Sequence, residues 1–255
     1  MKAKLLIVAA AAVVLAGCDG GIGARLTYDD TEQAKITEIV VSGGSGDVSI
    51  STAAGTATRI KRVVRSNGHD PGRSYSVSGS TLTVDTSCGS NCSVSYEIQA
   101  PTGVTVRGGL RSGGLALAEV GTADVSVTSG NIRLDRITGA VTARATAGNI
   151  VAHALSGPAT LAATSGNIEG FQLTGGRPVS TETRSGNVKL QLVQAASVRA
   201  HTTNGNVELV VPNGDYQVRD DVGNGDFHTN LRADAGAANV IDVHTSNGNI
   251  KVMGS

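Results

Sequence analysis

Aromatic side chains are nearly missing from this sequence: Phe, Tyr and Trp together make 2% of 255 residues, and there is no Trp. With 40% of residues hydrophobic, the apolar content is carried by Ala, Val, Ile and Leu. Such side chains suit a thin, evenly layered core better than a globular one built around large rings. An excess of either charge is missing too, since 21 Lys and Arg balance 21 Asp and Glu. With no basic surplus and few rings for bases to stack on, the composition argues against a nucleic-acid partner. Helical periodicity is absent beyond the first residues, which speaks against a helical fold. Cysteine is scarce, at three residues. Glycine is what the chain has in quantity, with 34 residues.

The longest apolar run, Leu5 to Leu15, is shorter than the roughly 20 residues that span a bilayer and follows Lys2 and Lys4. This is the layout of a secretory signal rather than of an uncleaved anchor. Leu15-Ala16-Gly17-Cys18 resembles the lipobox of bacterial lipoproteins. That resemblance implies removal of residues 1–17 as a signal peptide, a diacylglyceryl group on the Cys18 thiol, and acylation, palmitate for example, of the new N-terminus. The membrane would then be a partner through the lipid, with residues 18–35 as lipidated cysteine and tether. The implied location is the bacterial cell envelope: the periplasmic face of the inner or outer membrane, or the cell surface. Asp19 follows the cysteine, but without the host the leaflet stays open. Taking Lys2 and Lys4 from the 21 bases leaves 19 against 21 acids, so the mature chain is close to neutral. Export also permits a disulfide between Cys88 and Cys92 of "CGSNC", and the segment has too few Cys and His for a closed metal site.

The glycines are spaced. "SGDV" at 45–48, "SGGL" at 112–115, "SGNI" at 129–132, "AGNI" at 147–150 and "SGNI" at 165–168 are followed by "SGNV" at 185–188, "NGNV" at 204–207, "NGDF" at 224–227 and "NGNI" at 247–250. From Gly113 the intervals are 17, 18, 18, 20, 19, 20 and 23 residues, the signature of a repeat array. Two residues after the glycine stand Ile132, Ile150, Ile168, Val188, Val207, Phe227 and Ile250. Before it, apolar and polar residues alternate, as in Ala123, Val125 and Val127 around Asp124 and Ser126. This is the strand signal. Each repeat therefore reads as strand, Gly-Asn turn, strand and a second corner, "ITG" at 137–139 or "LSG" at 155–157. A turn of this kind needs positive φ, which glycine adopts freely and Asn tolerates.

An antiparallel meander gives no reason to keep one residue at one corner, whereas a parallel stack does. The expected fold is all-β, a single-stranded parallel β-helix or β-solenoid of 18–20 residues per coil, right-handed by the crossover rule. Its turn ladder would be Gly130–Asn131, Gly148–Asn149, Gly166–Asn167, Gly186–Asn187 and Gly205–Asn206, with side-chain amides bonded to one another. Residues 111–255 form the regular repeats. Residues 36–110 form a less regular N-terminal β region, holding a first coil around Gly46 and a cap for the open end.

The "SGNI/SGNV/NGNV" turns, "YEIQAPTGVTV" leading into the first regular coil and "VELVVPNGDYQV" before "GNGD" are similar to a bacterial adhesin-type family of unknown function. The likeness covers roughly residues 36–252. It implies a β-solenoid at the cell envelope and supplies no catalytic residue and no cofactor.

Three functional classes follow. The first is a non-catalytic adhesion, binding or scaffold module that meets an envelope glycan or protein ligand along a polar face, with no cofactor and no metal. The second is a polysaccharide-active β-helix enzyme using the cluster Arg219, Asp220, Asp221, Asp226 and His228. In the repeat frame Asp220 falls on the inward column of Val125, Ala143 and Leu161, where an acid is costly unless paired, while Asp221 and His228 face outward. The third is a sensor or regulator of envelope stress. "GGSGD" and "GNGD" lack the nonapeptide spacing of calcium-binding repeats. The five histidines (69, 153, 201, 228, 244) show no ligand spacing; His201 and His244 share a column but lie more than one coil apart in sequence order. Hydroxyls recur before the turn, at Thr128–Ser129, Thr146, Thr164–Ser165, Thr202–Thr203 and Thr245–Ser246, and are expected to be exposed. The binding module is the reading the sequence favours.

Overall fold

A computed structural model describes residues 24–67 and 71–255; Cys18, the signal peptide and His69 lie outside the described residues. Twenty-four strands and no helix make up these residues. The N-terminal third holds β1 (Ala24–Glu32), β2 (Glu38–Ser42), β3 (Val48–Ala53), β4 (Thr58–Ser66), β5 (Tyr75–Ser78), β6 (Thr81–Asp85) and β7 (Cys92–Pro101). Six regular coils follow as strand pairs. They are β8 (Thr105–Ser112) with β9 (Leu115–Ala118), β10 (Thr122–Ser129) with β11 (Ile132–Asp135), and β12 (Val141–Ala147) with β13 (Ile150–His153). Then come β14 (Ala159–Ser165) with β15 (Ile168–Leu173), β16 (Val179–Ser185) with β17 (Val188–Leu192), and β18 (Val198–Asn204) with β19 (Val207–Val211). The end of the chain gives β20 (Asp215–Asn224), β21 (Phe227–Thr229), β22 (Arg232–Ala233), β23 (Val240–Asn247) and β24 (Ile250–Gly254).

The strands form two twelve-stranded sheets, one from each arm of the coils. Within the stack all pairings are parallel and in register, so Val125, Ala143, Leu161, Thr181 and Ala200 superpose, as do Ile132, Ile150, Ile168, Val188 and Val207. These inward columns are buried, and alternate residues on each strand face solvent. Small aliphatic side chains fill the narrow space between the sheets. The 20-residue coil from Gly166 accommodates its extra length by a bulge between Gly170 and Leu173. A Cβ at Gly170 would meet Leu190 Cδ2 at 2.8 Å and Leu173 Cδ1 at 3.2 Å, so the missing side chain makes room for Leu173.

Stacking order departs from sequence order at both ends. The pair β23/β24 lies between β18/β19 and β20/β21, and β2/β3 lies between β8/β9 and β6/β7. The coil holding "GNIKVMGS" is therefore not the outermost one; residues 215–229 cover it. Antiparallel strands close the other end, β4 on β7 and β1 on β4 in one sheet and β5 on β6 in the other. Residues 24–32, counted with the tether in the sequence reading, are thus a sheet strand. Cys88 and Cys92 are joined as a disulfide, Cα to Cα 5.6 Å, which ties the loop after β6 to the first residue of β7.

Candidate binding faces

The Gly-Asn corner builds one continuous edge of the stack. Gly130, Gly148, Gly166, Gly186 and Gly205 all have φ between 145° and 156°, and each would drive a Cβ onto the backbone carbonyl of the glycine one coil before. The asparagines beside them do not bond amide to amide, as the sequence reading expected. Instead each Oδ1 accepts the backbone N–H of the next coil: Asn149 N–H to Asn131 at 2.9 Å, and Asn167 to Asn149, Asn187 to Asn167 and Asn206 to Asn187, each at 2.8 Å. Asp47 and Asn249 continue this pattern toward Gly114 N–H and Asp226 N–H. An acceptor is what the site needs, so the N–H that a parallel corner leaves unpaired is satisfied. Amide-to-amide bonds do form, one position before the glycine: Asn247 Nδ2 to Asn204 Oδ1 at 3.0 Å and Asn224 Nδ2 to Asn247 Oδ1 at 2.9 Å.

The hydroxyl row before the turn is split. Thr128, Ser129, Thr146, Thr164, Ser165 and Thr203 are exposed. Thr202 and Thr245 are buried, and they donate inward to the carbonyls of Gly186 and Gly205 at 3.0 and 2.9 Å. Thr183 does the same to Gly166 at 3.1 Å. Period-two alternation puts these residues on the inward face, and a buried hydroxyl is tolerated because a carbonyl accepts from it.

The exchange of the last coils also rearranges the histidines. His201 and His244 are register partners on adjacent strands, with ring centroids 5.5 Å apart, rather than more than one coil apart. His201 Nε2 lies 3.1 Å from Asp242 Oδ1, and His244 Nδ1 lies 3.0 Å from Asp221 Oδ2. The inserted strand β23 is thus tied on both sides by an imidazole–carboxylate pair. His153 Nδ1 meets Asp135 Oδ1 at 2.8 Å, and His228 stands beside Lys251 at the outer edge.

The acids that a polysaccharide-cleaving site would need do not converge. Asp220 aligns with Val243 on the inward column, Asp221 points the opposite way to His244, and Asp226 sits in the turn, where its N–H meets Asn249. Asp220 avoids the cost of burial because its coil is the outermost one, so its carboxylate remains exposed. Among the described residues no three His, Cys, Asp or Glu side chains are placed to hold a metal ion.

A feature without a sequence signal lies at the second corner. Glu119, Arg136, Ala154 and Gln172 all adopt φ between 49° and 60°, a left-handed column made without glycine. Successive members stack, and Arg136 Nε reaches Glu119 Oε1 at 2.9 Å.

Three solved structures are similar to this chain. A protein described as a "putative adhesin" from Bacteroides fragilis is 11% identical, covering 89% of this chain and 96% of its own, with a TM-score of 0.47. A "putative adhesin" from Parabacteroides merdae is 14% identical, covering 89% and 95%, with a TM-score of 0.37. A "putative cell adhesion protein" from Clostridium sporogenes is 14% identical, covering 90% and 100%, with a TM-score of 0.29. No curated protein matches the chain. The family described as Toastrack DUF4097 matches residues 25–253, from the first sheet strand to the last, and the chain belongs to that family.

Proposed function

We propose that this protein is a lipid-anchored, non-catalytic binding module of the bacterial cell envelope, held through Cys18 and presenting its long faces to a protein or glycan. The observation that carries the reading is the register: ten stacked strand pairs superpose like positions, so weak contacts add along a face. Support for the anchor comes from the secretory layout of residues 1–17 and from the lipobox-like Leu15–Cys18. Support for the absence of catalysis comes from the dispersal of Asp220, Asp221 and Asp226 over three different surfaces. An adhesion or scaffold role follows from such a rigid display.

Crosslinking the anchored protein in cells tests this. The expected result is recovery of a defined partner, and Cys18→Ala should move the protein from the membrane to the soluble fraction. Loss of a measured envelope-glycan turnover in Asp221→Ala would overturn the reading in favour of an enzyme.

A further inference from the structure

One row of outward side chains crosses the whole sheet that contains β1. At its N-terminal end stand Asp29, Lys61 and Glu97. Its C-terminal half runs Glu169, Lys189, Glu208 and Lys251. Opposite charges alternate in both stretches, with Lys61 Nζ 3.0 Å from Glu97 Oε2 and Lys189 Nζ 3.1 Å from Glu208 Oε2. Between them the alternation stops, and the row reads Ser49, Ala116, Arg133, Val151. Arg133 is flanked by two side chains that cannot take its charge. It makes no ion pair or hydrogen bond among the described residues.

A cavity of about 560 Å³ opens on this gap, within the range of ligand sites. Seven consecutive strands, from β1 to β13, contribute to it, so the sheet is concave here. Arg25 on β1 lines the far wall and is likewise unpaired among the described residues. The acids of the groove are already engaged. Asp47 Oδ1 accepts from Gly114 N–H at 2.7 Å, and Glu97 is held by Lys61. Arg25, Lys61 and Arg133 thus stand against Asp47 and Glu97 in the lining, an excess of one positive charge, and neither guanidinium has an ion-pair partner among the described residues.

We propose that this groove binds an acidic peptide segment in extended form, with Arg133 and Arg25 each taking a carboxylate. The proposal rests on the binding-module reading and gives it a site and a partner class. Planar guanidinium pairs bidentately with carboxylate. Ser49, Ala116 and Val151 make a low floor that accepts small aliphatic side chains. A sugar ring finds no stacking platform, because Tyr96 is 3% exposed and its hydroxyl donates inward to the Ser74 carbonyl at 2.6 Å. The self-neutralised stretches of the row on either side confine the attraction to the gap.

The test titrates the full mature chain with fluorescein-labelled acetyl-Ala-Glu-Ala-Glu-Ala-amide, read by fluorescence anisotropy. Binding should weaken as salt is raised. Arg133→Ala and Arg25→Ala should each weaken it about tenfold or more, with Arg133→Lys in between. Lys251→Ala, in the neutralised part of the row, should leave it unchanged, and the Gln-for-Glu peptide should not bind. Equal affinity in Arg133→Ala overturns the proposal, as does binding of oligogalacturonate in place of the peptide, which assigns the groove to an anionic glycan. Running the in-cell crosslinking on Arg133→Ala separates the two readings. A partner recovered from Arg133→Ala as well as from the wild type removes the groove and leaves the binding module, whereas no partner from the wild-type protein removes the module itself.

Discussion

Gly166 carries two constraints at once. Its φ of 150° belongs to glycine, and a Cβ would be driven onto the Gly148 carbonyl, where only backbone could yield. Gly166→Ala should therefore cost about 3 kcal/mol by adding overpacking to strain, read as a lowered midpoint in denaturant. The opposite holds at Ala154, whose φ of 53° strains an ordinary residue. Ala154→Gly should raise stability by about 0.5–1 kcal/mol, the released strain exceeding the entropy that glycine adds to the unfolded chain; a drop in midpoint would contradict this. The first of these positions was legible in sequence because the Gly-Asn pair recurs. The second was not, since Glu119, Arg136, Ala154 and Gln172 share a conformation but no chemistry. The role of the asparagines was half legible: stacking followed from the repeat, but the choice of backbone N–H over side-chain amide as donor depends on how the corner leaves its peptide groups.

Among the elements, β7 and β2 are secured by different means. The Cys88–Cys92 disulfide closes a loop of only a few residues ahead of β7, so loop-closure entropy limits its contribution to about 2 kcal/mol. Reduction, or Cys88→Ser with Cys92→Ser, should lower the unfolding free energy by that much, read as a lowered midpoint, without abolishing folding. On β2, Glu38 is held below its ordinary value of 4.5 by hydrogen bonds from Arg107 of β8 and then Thr81 of β6. A depressed carboxylate contributes stability that is present above the unfolded value and lost as pH falls through the lower folded one. Melting temperature should accordingly fall on acidification below about pH 4.5, and Glu38→Gln should flatten that part of the profile. Strand existence was readable from period-two alternation through the repeats but not for β1, and Thr202 and Thr245, expected to be exposed, turn inward. What alternation could not supply was the antiparallel role of β1, β4 and β5, because pairing direction leaves no mark on a single strand's pattern.

At the scale of the whole molecule, the exchanged coils place β2/β3 and β23/β24 inside the stack rather than at its ends. An open solenoid end invites pairing with another, and the outermost C-terminal coil answers with an inward carboxylate, Asp220, beside the partly buried Val218, Val222 and Phe227. Asp220→Val should turn that end adhesive, seen as concentration-dependent oligomers in sedimentation; an unchanged monomer–oligomer distribution would deny the acid this role. The parallel stack itself was legible from eight turns at near-constant spacing, from Gly113 to Gly248. The exchange was not, because the 23-residue interval before Gly248 signals only a longer excursion, and either order keeps the columns in register. Cysteine trapping on the exposed face decides between them, with the native disulfide left intact. In the structure Glu208 and Lys251 are register partners, as are Lys251 and His228. The pairs Glu208→Cys/Lys251→Cys and Lys251→Cys/His228→Cys should therefore crosslink on mild oxidation, while Glu208→Cys/His228→Cys should not. Crosslinking of the last pair with failure of the first would mean that the coils follow sequence order, and failure of all three would contradict the parallel stack.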